Sequence, residues 1–206
     1  CRRMAGGNDW FATESGQRLT TMATRRAGPW LEHLVGHNAL ILQPCTQGLP
    51  VPELRFQSLF RLERANARFY GDFQADDLCL PLASDCLALV YAAFVLETSP
   101  DSEALVSEIE RLLVAEGHLA MLTLNPFSPS RLGGKWQGYG LRSATQWQHV
   151  LRHAGFELLR RESFGESYRP GALCSVNFLL ARKRKTALTP IRKHASAALI
   201  REPSAS

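Results

Sequence analysis

The chain has 206 residues, of which 45% are hydrophobic and 21% are charged. This length and composition exclude a disordered or fibrous protein and predict a globular domain with one core. The sequence has no apolar run of about 18 residues or more, which argues against a transmembrane helix, and its two N-terminal arginines are not followed by the apolar segment of a secretory signal. We therefore expect a cytoplasmic protein without membrane partners.

Cysteines and basic residues give two further expectations. The five cysteines form no Cys-x-x-Cys pair and no Cys/His ligand spacing, so we expect buried thiols and no metal site. The net charge of +5 is concentrated at the end of the chain, where the residues from Arg182 onward include seven basic residues and a single acid, Glu202. We expect residues 185–206 to form a basic flexible tail, and its partner, if it has one, to be nucleic acid in weak contact or another anionic surface. The tail lacks interleaved aromatic residues that would stack on bases.

The first half of the sequence predicts few regular elements. Residues 1–9 are expected to be a disordered lead, and residues 10–34 predict one or two amphipathic helices with a break at Gly28-Pro29. An apolar run at residues 39–42 is typical of a buried parallel strand, and a second strand is predicted over residues 57–62. Residues 45–56 read as a loop, and residues 64–68 allow at most one helical turn. The first crossovers of the sheet are therefore expected to be short.

The second half alternates strands and helices clearly. A loop over residues 72–82 precedes a central apolar strand, and Pro100-Asp101-Ser102 is the expected cap of a helix that ends at Gly117. A further helix is predicted over residues 143–153. Strands are predicted at residues 86–94, 118–124, 156–163 and 172–181. The last two strands are separated by a Gly/Pro-rich turn and are expected to pair antiparallel.

The order of motifs in the second half resembles the class I S-adenosylmethionine-dependent methyltransferases of type 11, the UbiE-like kind. The matching residues are Asp76, Leu80-Pro81-Leu82, residues 87–96, Pro100-Asp101, residues 108–113 and Gly117. Four later segments are similar to a group of small proteobacterial, hence bacterial, methyltransferase-like proteins. They are Asn125-Pro126, residues 136–139, residues 154–157 and residues 181–184.

The resemblance implies a fold and a cofactor. Residues 10–184 are expected to form a three-layer α/β domain with the Rossmann-like methyltransferase fold. Its sheet is expected to be mostly parallel, with an antiparallel strand near the C-terminal edge. The implied cofactor is S-adenosylmethionine, which becomes S-adenosylhomocysteine after methyl transfer. In such sheets the ligand lies beyond the carboxyl ends of the strands, so the loops that follow the strands are the expected site.

The cofactor contacts that the resemblance implies lie in four loops. The loop after the first strand would hold the methionine end, but only Gly48 matches the expected glycine-rich pattern, and Pro44 lacks an N–H donor. Glu63 would bind the ribose hydroxyls, unless it is a surface charge. Asp76 and Asp77 would accept from the adenine amino group, although Asp77 is also suited to capping a turn. The full set of expected cofactor residues is Gln43, Pro44, Cys45, Gly48, Glu63, Asp76, Asp77, Ala92, Ala93 and Phe94.

Two interpretations of the function follow. The first is a methyltransferase of unknown acceptor, in which Glu97 is the candidate general base at the end of the fourth strand. The substrate side would be formed by Asn125, Trp136, Tyr139 and Tyr168, whose aromatic members are equally suited to packing in a lid. The second is a catalytically inactive methyltransferase-like protein that binds or regulates a partner, which the degenerate glycine loop and the short crossovers favour.

Overall fold

One sheet organises the chain in its computed structural model, which describes residues 9–44, 49–65, 68–131, 136, 138–165 and 174–184. Its strands are β1 (Val35–Gln43), β2 (Arg55–Ala65), β3 (Arg68–Gly71), β4 (Leu87–Ala93), β5 (Leu113–Leu124), β6 (Phe156–Phe164) and β7 (Val176–Lys183). The helices of the described part are α1 (Asp9–Ala12), α2 (Glu14–Leu31), α3 (Ser102–Leu112) and α4 (Ala144–His153), and Pro129–Arg131 form a 3₁₀ turn. The strand order is β3-β2-β1-β4-β5-β7-β6.

The strand directions confirm the predicted sheet. β1 pairs in parallel with both β2 and β4, and β4 pairs in parallel with β5. β7 lies antiparallel between β5 and β6. Among the described strands, only β3 and β7 therefore run against the others. The antiparallel strand near the C-terminal edge was predicted, and it is internal rather than outermost.

Helices cover both faces of the sheet, which makes the predicted three layers. On one face, Leu40 and Val90 pack with apolar residues of α3 and α4, including the fully buried Trp147. On the other face, Ile41 and Leu89 pack with α1 and α2. The apolar run of β1 is buried on both faces because it lies in the middle of the sheet, as expected for a parallel strand.

Helix α2 is continuous, so the predicted break at Gly28-Pro29 is wrong. The helix continues through Pro29 to Leu31, and the backbone N–H of Glu32 donates to the Gly28 carbonyl at 3.1 Å. Proline removes one backbone donor and crowds the preceding turn. These costs fall in the last turn, where α2 ends anyway, and the buried Ala27 and Leu31 keep that turn against the sheet.

The boundary between α3 and β5 also differs from the prediction. The Asp101 cap is confirmed, since its side chain accepts from the Ala104 N–H, but α3 ends at Leu112 rather than at Gly117. Leu113 already has extended backbone and pairs with Leu87. Burial of both leucines outweighs the helical preference of the following residues. Gly117 instead lies within β5, where a Cβ would come within 2.8 Å of the Val114 carbonyl oxygen.

Two antiparallel strands lie where the sequence allowed at most one helical turn, over residues 64–68. β2 continues to Ala65, and Arg68–Gly71 return antiparallel to it as β3. Gly71 makes this close pairing possible, because it has a φ of +150° and a Cβ there would lie 2.1 Å from the Arg61 carbonyl oxygen. The crossover between β1 and β2 is also short, as predicted, and its described residues are not helical.

Gly16→Ala is expected to destabilise the fold, because an added methyl group would lie 2.3 Å from the Trp10 carbonyl oxygen. The contact would force α1 away from α2, and we expect the free energy of unfolding to fall by about 1–3 kcal/mol in urea titrations. Gly28→Ala in the same helix is the control, since its methyl group would meet no side chain or distant backbone within 4 Å. Equal effects of the two substitutions would contradict this account of the α1–α2 contact.

In the described part of the chain, no helix is both long and apolar enough to cross a membrane. The predicted lead, apart from Asp9, and the predicted tail from Lys185 onward lie outside the described residues. Arg182 and Lys183, which the sequence analysis counted with the basic run, belong to β7. Arg182 pairs with Glu157 and Glu116, and Lys183 donates to the carbonyl oxygens of Glu110 and Leu113 at the end of α3.

Candidate functional site

The carboxyl ends of the parallel strands meet at one edge of the sheet, where the predicted site residues were expected. Gln43 at the end of β1 lies opposite Glu63 of β2, and Leu42 lies opposite Ala92 of β4. Because these strands share one direction, the loops that follow them open on the same side. The topology therefore brings together the predicted loops after β1, β2 and β4. The predicted loop with Asp76 and Asp77 follows the antiparallel β3 and reaches the same edge through the contact of Asp77 with Arg64.

The side chain of Gln43, the last residue of β1, ties the two ends of the following loop together. Gln43 is buried, and its Nε2 donates to the Leu49 carbonyl oxygen at 2.9 Å. Pro44 follows and offers no N–H group. Thr24 of α2 holds the next part of the loop by donating to the Pro50 carbonyl oxygen at 3.2 Å. Cys45 and Gly48, the other two predicted residues of this loop, lie outside the described residues.

Two carboxylates of the predicted cofactor set remain accessible at this edge. Glu63 is half-buried near the end of β2, and within the described residues its carboxylate has no ion-pair partner. Asp76 lies in the turn after β3, where its side chain is 59% exposed and pairs with Arg68 at 3.1 Å. Both groups can accept hydrogen bonds from a ligand without first losing a buried partner.

Asp77 has a different environment from its neighbour. Its two oxygens accept from the two terminal nitrogens of Arg64, each at 2.6 Å, and one of them also accepts from the Ser99 hydroxyl at 2.6 Å. All three residues are buried, and the Arg64 guanidinium also lies 5.1 Å from the centre of the Phe69 ring. Asp77 is therefore buried in a network within the fold and is less accessible to an adenine amino group than Asp76.

The end of β4 makes a sharp turn. Ala92, Ala93 and Phe94 are buried, and Phe94 has a φ of +54°, which is unusual for a residue other than glycine. The Phe94 N–H donates to the Leu122 carbonyl oxygen at 2.8 Å, and its ring packs against Phe11. Left-handed backbone at such residues costs free energy and is enriched at functional sites. Here it directs the chain toward Glu97.

Glu97 is a fully buried carboxyl group between the ends of β4 and β5. One oxygen, Oε1, accepts from the Leu124 N–H, whereas Oε2 is buried without a hydrogen-bond partner in the described part of the chain. Burial raises the pKa of Glu97 to about 7, and the hydrogen bond from Leu124 opposes this shift only in part. The group therefore changes protonation state near neutral pH.

Aromatic residues from two distant segments of the chain cover this region. Trp136 packs edge-on against Trp10 with ring centres 5.6 Å apart, and Tyr139 packs against Phe11 at 5.7 Å. The backbone N–H of Gly140 donates to the Glu97 carbonyl oxygen at 2.8 Å. Residues 138–141 and helix α1 thus lie over the turn at Glu97.

Asn125 and Tyr168 complete the predicted substrate side. Asn125 is buried at the end of β5, where its Nδ2 donates to the Cys174 carbonyl oxygen at 2.7 Å and its Oδ1 accepts from the Phe127 N–H at 3.2 Å. These bonds fix the turn after β5. Tyr168 lies outside the described residues.

Three residues of this edge were not selected from the sequence. Arg64 was expected only as the start of residues 64–68, which allow at most one helical turn. Its position two residues after Leu62 in β2 places it on the same buried face. Ser99 and Phe11 carry no comparable local signal, because their contacts are with residues distant in the sequence.

Comparisons with known proteins agree on the fold. No protein-family model and no curated protein matches the chain. Among solved structures, an S-adenosylmethionine-dependent methyltransferase from Aquifex aeolicus is 12% identical with a TM-score of 0.59, covering 88% of this chain and 99% of its own. A second such methyltransferase, from Archaeoglobus fulgidus, is 12% identical with a TM-score of 0.58, covering 81% and 94%.

The [4+2]-cyclase SpnF is also similar, at 17% identity and a TM-score of 0.54, covering 83% of this chain and 82% of its own. A similar fold thus occurs in a protein described by another reaction, and similarities at this level of identity establish architecture only. With its strand order and its helices on both faces of the sheet, the chain has the Rossmann-like fold of the class I methyltransferases.

Proposed function

We propose that this chain binds S-adenosylmethionine along the carboxyl edge of its sheet and transfers the methyl group to an acceptor. The observation that carries the proposal is the pair of accessible carboxylates, Glu63 and Asp76, in the loops where this fold holds adenosine. The proposal includes the UbiE-like subtype, a bacterial origin and a cytoplasmic location, for which the motif resemblance is the support.

The adenosine end of the cofactor fits the described residues. The Glu63 carboxylate would accept hydrogen bonds from the ribose hydroxyls, and the Asp76 carboxylate would accept from the exocyclic amine of adenine. Hydrogen bonds to charged groups contribute about 1.5–3 kcal/mol each. The small side chains of Ala92 and Ala93 would allow a flat ring to approach the end of β4.

The methionine end fits less well. Methyltransferases usually present backbone N–H groups and an acid after the first strand. Here the corresponding residue is Gln43, whose side-chain amide nitrogen already donates to the Leu49 carbonyl oxygen. Gln43 would have to exchange this bond for one to the ligand. We therefore expect the adenosine end to supply most of the affinity, and S-adenosylhomocysteine to be a sufficient probe of the site.

Glu97 is the group best suited to take a proton from the acceptor. Bound S-adenosylmethionine would supply the methyl group: a nucleophile of the acceptor attacks the methyl carbon in line while the bond to sulfur breaks, and S-adenosylhomocysteine is the leaving group. The buried Oε2 of Glu97 would accept the proton that the nucleophile loses, and its pKa of about 7 suits a general base at neutral pH. Because Glu97 is fully buried, the acceptor must displace part of the lid formed by residues 138–141.

A second candidate function is a noncatalytic methyltransferase-like protein that binds or regulates a partner. The specific observation in its favour is the closed loop after β1, together with the lack of a described helix between β1 and β2. The described residues of this loop provide no helix N-terminus, which is the usual site for an anionic carboxylate.

Calorimetric titration of the full chain with S-adenosylhomocysteine separates the two candidates. We expect micromolar binding that weakens by about tenfold or more in Glu63→Gln and in Asp76→Asn, since one lost bond to a charge corresponds to at least about 1.4 kcal/mol. Glu53→Gln is the matched control, because Glu53 is exposed before β2 at the opposite edge of the sheet. An absence of binding at millimolar ligand would favour the noncatalytic protein.

A further inference from the structure

Two histidines lie side by side on the exposed face of α4, away from the carboxyl edge. His149 and His153 are four residues apart, a spacing that puts side chains on the same face of a helix. Their Nε2 atoms are 3.0 Å apart, and their rings meet edge to face with centres separated by 4.3 Å. The interaction between them is a hydrogen bond in which one Nε2 donates and the other accepts.

The distance between the two nitrogens suits a shared metal ion. Imidazole nitrogens coordinate first-row transition metals at about 2.0–2.1 Å. Two nitrogens that are 3.0 Å apart then subtend an angle of about 94° at the metal, given those bond lengths. A tetrahedral ion would require a separation of about 3.3 Å, whereas square-planar and tetragonal ions require angles near 90°. The pair is thus better suited to copper(II) or nickel(II) than to zinc.

The residues around the pair determine which other ligands a bound metal ion would have. In the part of the chain that the structure describes, no third His, Cys, Asp or Glu completes a ligand cluster, so the remaining positions of a bound ion would be filled by water. His153 is the last residue of α4, where the helix dipole favours a positive charge. Arg152 is next to His153 in the sequence and three residues after His149, and its positive charge disfavours a bound cation.

We propose that His149 and His153 chelate a divalent transition metal ion of the copper or nickel type on the outer face of α4. Binding breaks the hydrogen bond between the rings: the donating ring moves its proton from Nε2 to Nδ1, and each Nε2 then gives its lone pair to the ion. Both rings are exposed, so the ion reaches them from solvent without a change in the fold. The two linked ligands provide a chelate that neither imidazole provides alone.

Titration of the full chain with Ni²⁺ or Cu²⁺ tests the proposal. We expect His149→Gln and His153→Gln each to lower the affinity by about tenfold or more, because either change leaves a single imidazole. His33→Gln is the matched control, since His33 is exposed and lies in another part of the fold. For copper, electron paramagnetic resonance should report two coordinated nitrogens in the native chain and one fewer in each variant.

Equal affinities in the native chain and in both α4 variants would overturn the proposal, as would a loss of the same size in His33→Gln. Each variant changes an exposed side chain, so circular dichroism is expected to show an unchanged fold. A stronger response to Zn²⁺ than to Cu²⁺ would contradict a site of the copper type.

Discussion

Arg64→Met is expected to lower the free energy of unfolding by about 3–5 kcal/mol, the usual cost of removing one partner from a buried ion pair. The substitution leaves the Asp77 carboxylate buried with only the Ser99 hydroxyl of this network as a partner. Methionine retains much of the apolar volume of arginine, so the loss reports the uncompensated charge rather than a cavity. Urea denaturation monitored by tryptophan fluorescence measures the difference.

Two further variants make the test specific. Arg61→Met is the matched control, because Arg61 lies three residues earlier on the same strand with an exposed side chain, and we expect a change within about 0.5 kcal/mol. Combining Arg64→Met with Asp77→Asn removes both charges and should recover part of the loss. If Arg64→Met costs no more than Arg61→Met, the ion pair has no structural role of the kind described.

Glu97→Gln is expected to remove a pH dependence of stability. The unfolded chain ionises Glu97 near its ordinary pKa of 4.5, whereas the folded chain keeps it protonated up to about pH 7. Between these values the unfolded state binds fewer protons than the folded state, so the native chain loses stability as the pH rises. The full loss from this group is about 3 kcal/mol, which follows from the difference between the two pKa values.

Urea titrations of the native chain and of Glu97→Gln at pH 5 and pH 8 measure this effect. At pH 5 we expect similar stabilities, and at pH 8 we expect the variant to be more stable by about 2–3 kcal/mol. Glu53→Gln serves as the control, since it removes an exposed carboxylate and should change little at either pH. A difference between native chain and Glu97→Gln that is the same at both pH values would show that Glu97 is ionised in the folded protein.

The sequence predicted the strands better than the ends of the elements. The strands at the centre of the sheet are continuous apolar runs, which a buried parallel strand requires on both of its faces. The end of α3 was misplaced because it depends on the pairing of Leu113 with Leu87, across 26 residues of chain. The predicted helix break at Pro29 was wrong because the free-energy cost of proline is small where the helix ends within a few residues.

The position of the candidate site was predictable from the sequence. Whether each of its carboxylates is accessible or buried in an ion pair was not. The shared direction of β1, β2 and β4 is sufficient to select the loops that follow them. The loop after the antiparallel β3 reaches the same edge through its own contacts, such as that of Asp77 with Arg64. Asp76 and Asp77 are adjacent and chemically identical, yet only Asp77 faces the guanidinium of Arg64, and no local pattern distinguishes the two. Whether a carboxylate is accessible to a ligand or paired inside the fold is decided by such long-range contacts.

The position of β7 has a consequence for how the sheet is completed during synthesis. β6 pairs only with β7 among the described strands, and β7 also covers the open side of β5. Until residues 176–183 have left the ribosome, β5 and β6 both present unpaired backbone groups, a state that favours association with other chains. β7, the last of the described strands, therefore completes the sheet: by pairing with β5 and β6 it buries one exposed edge of each in one step.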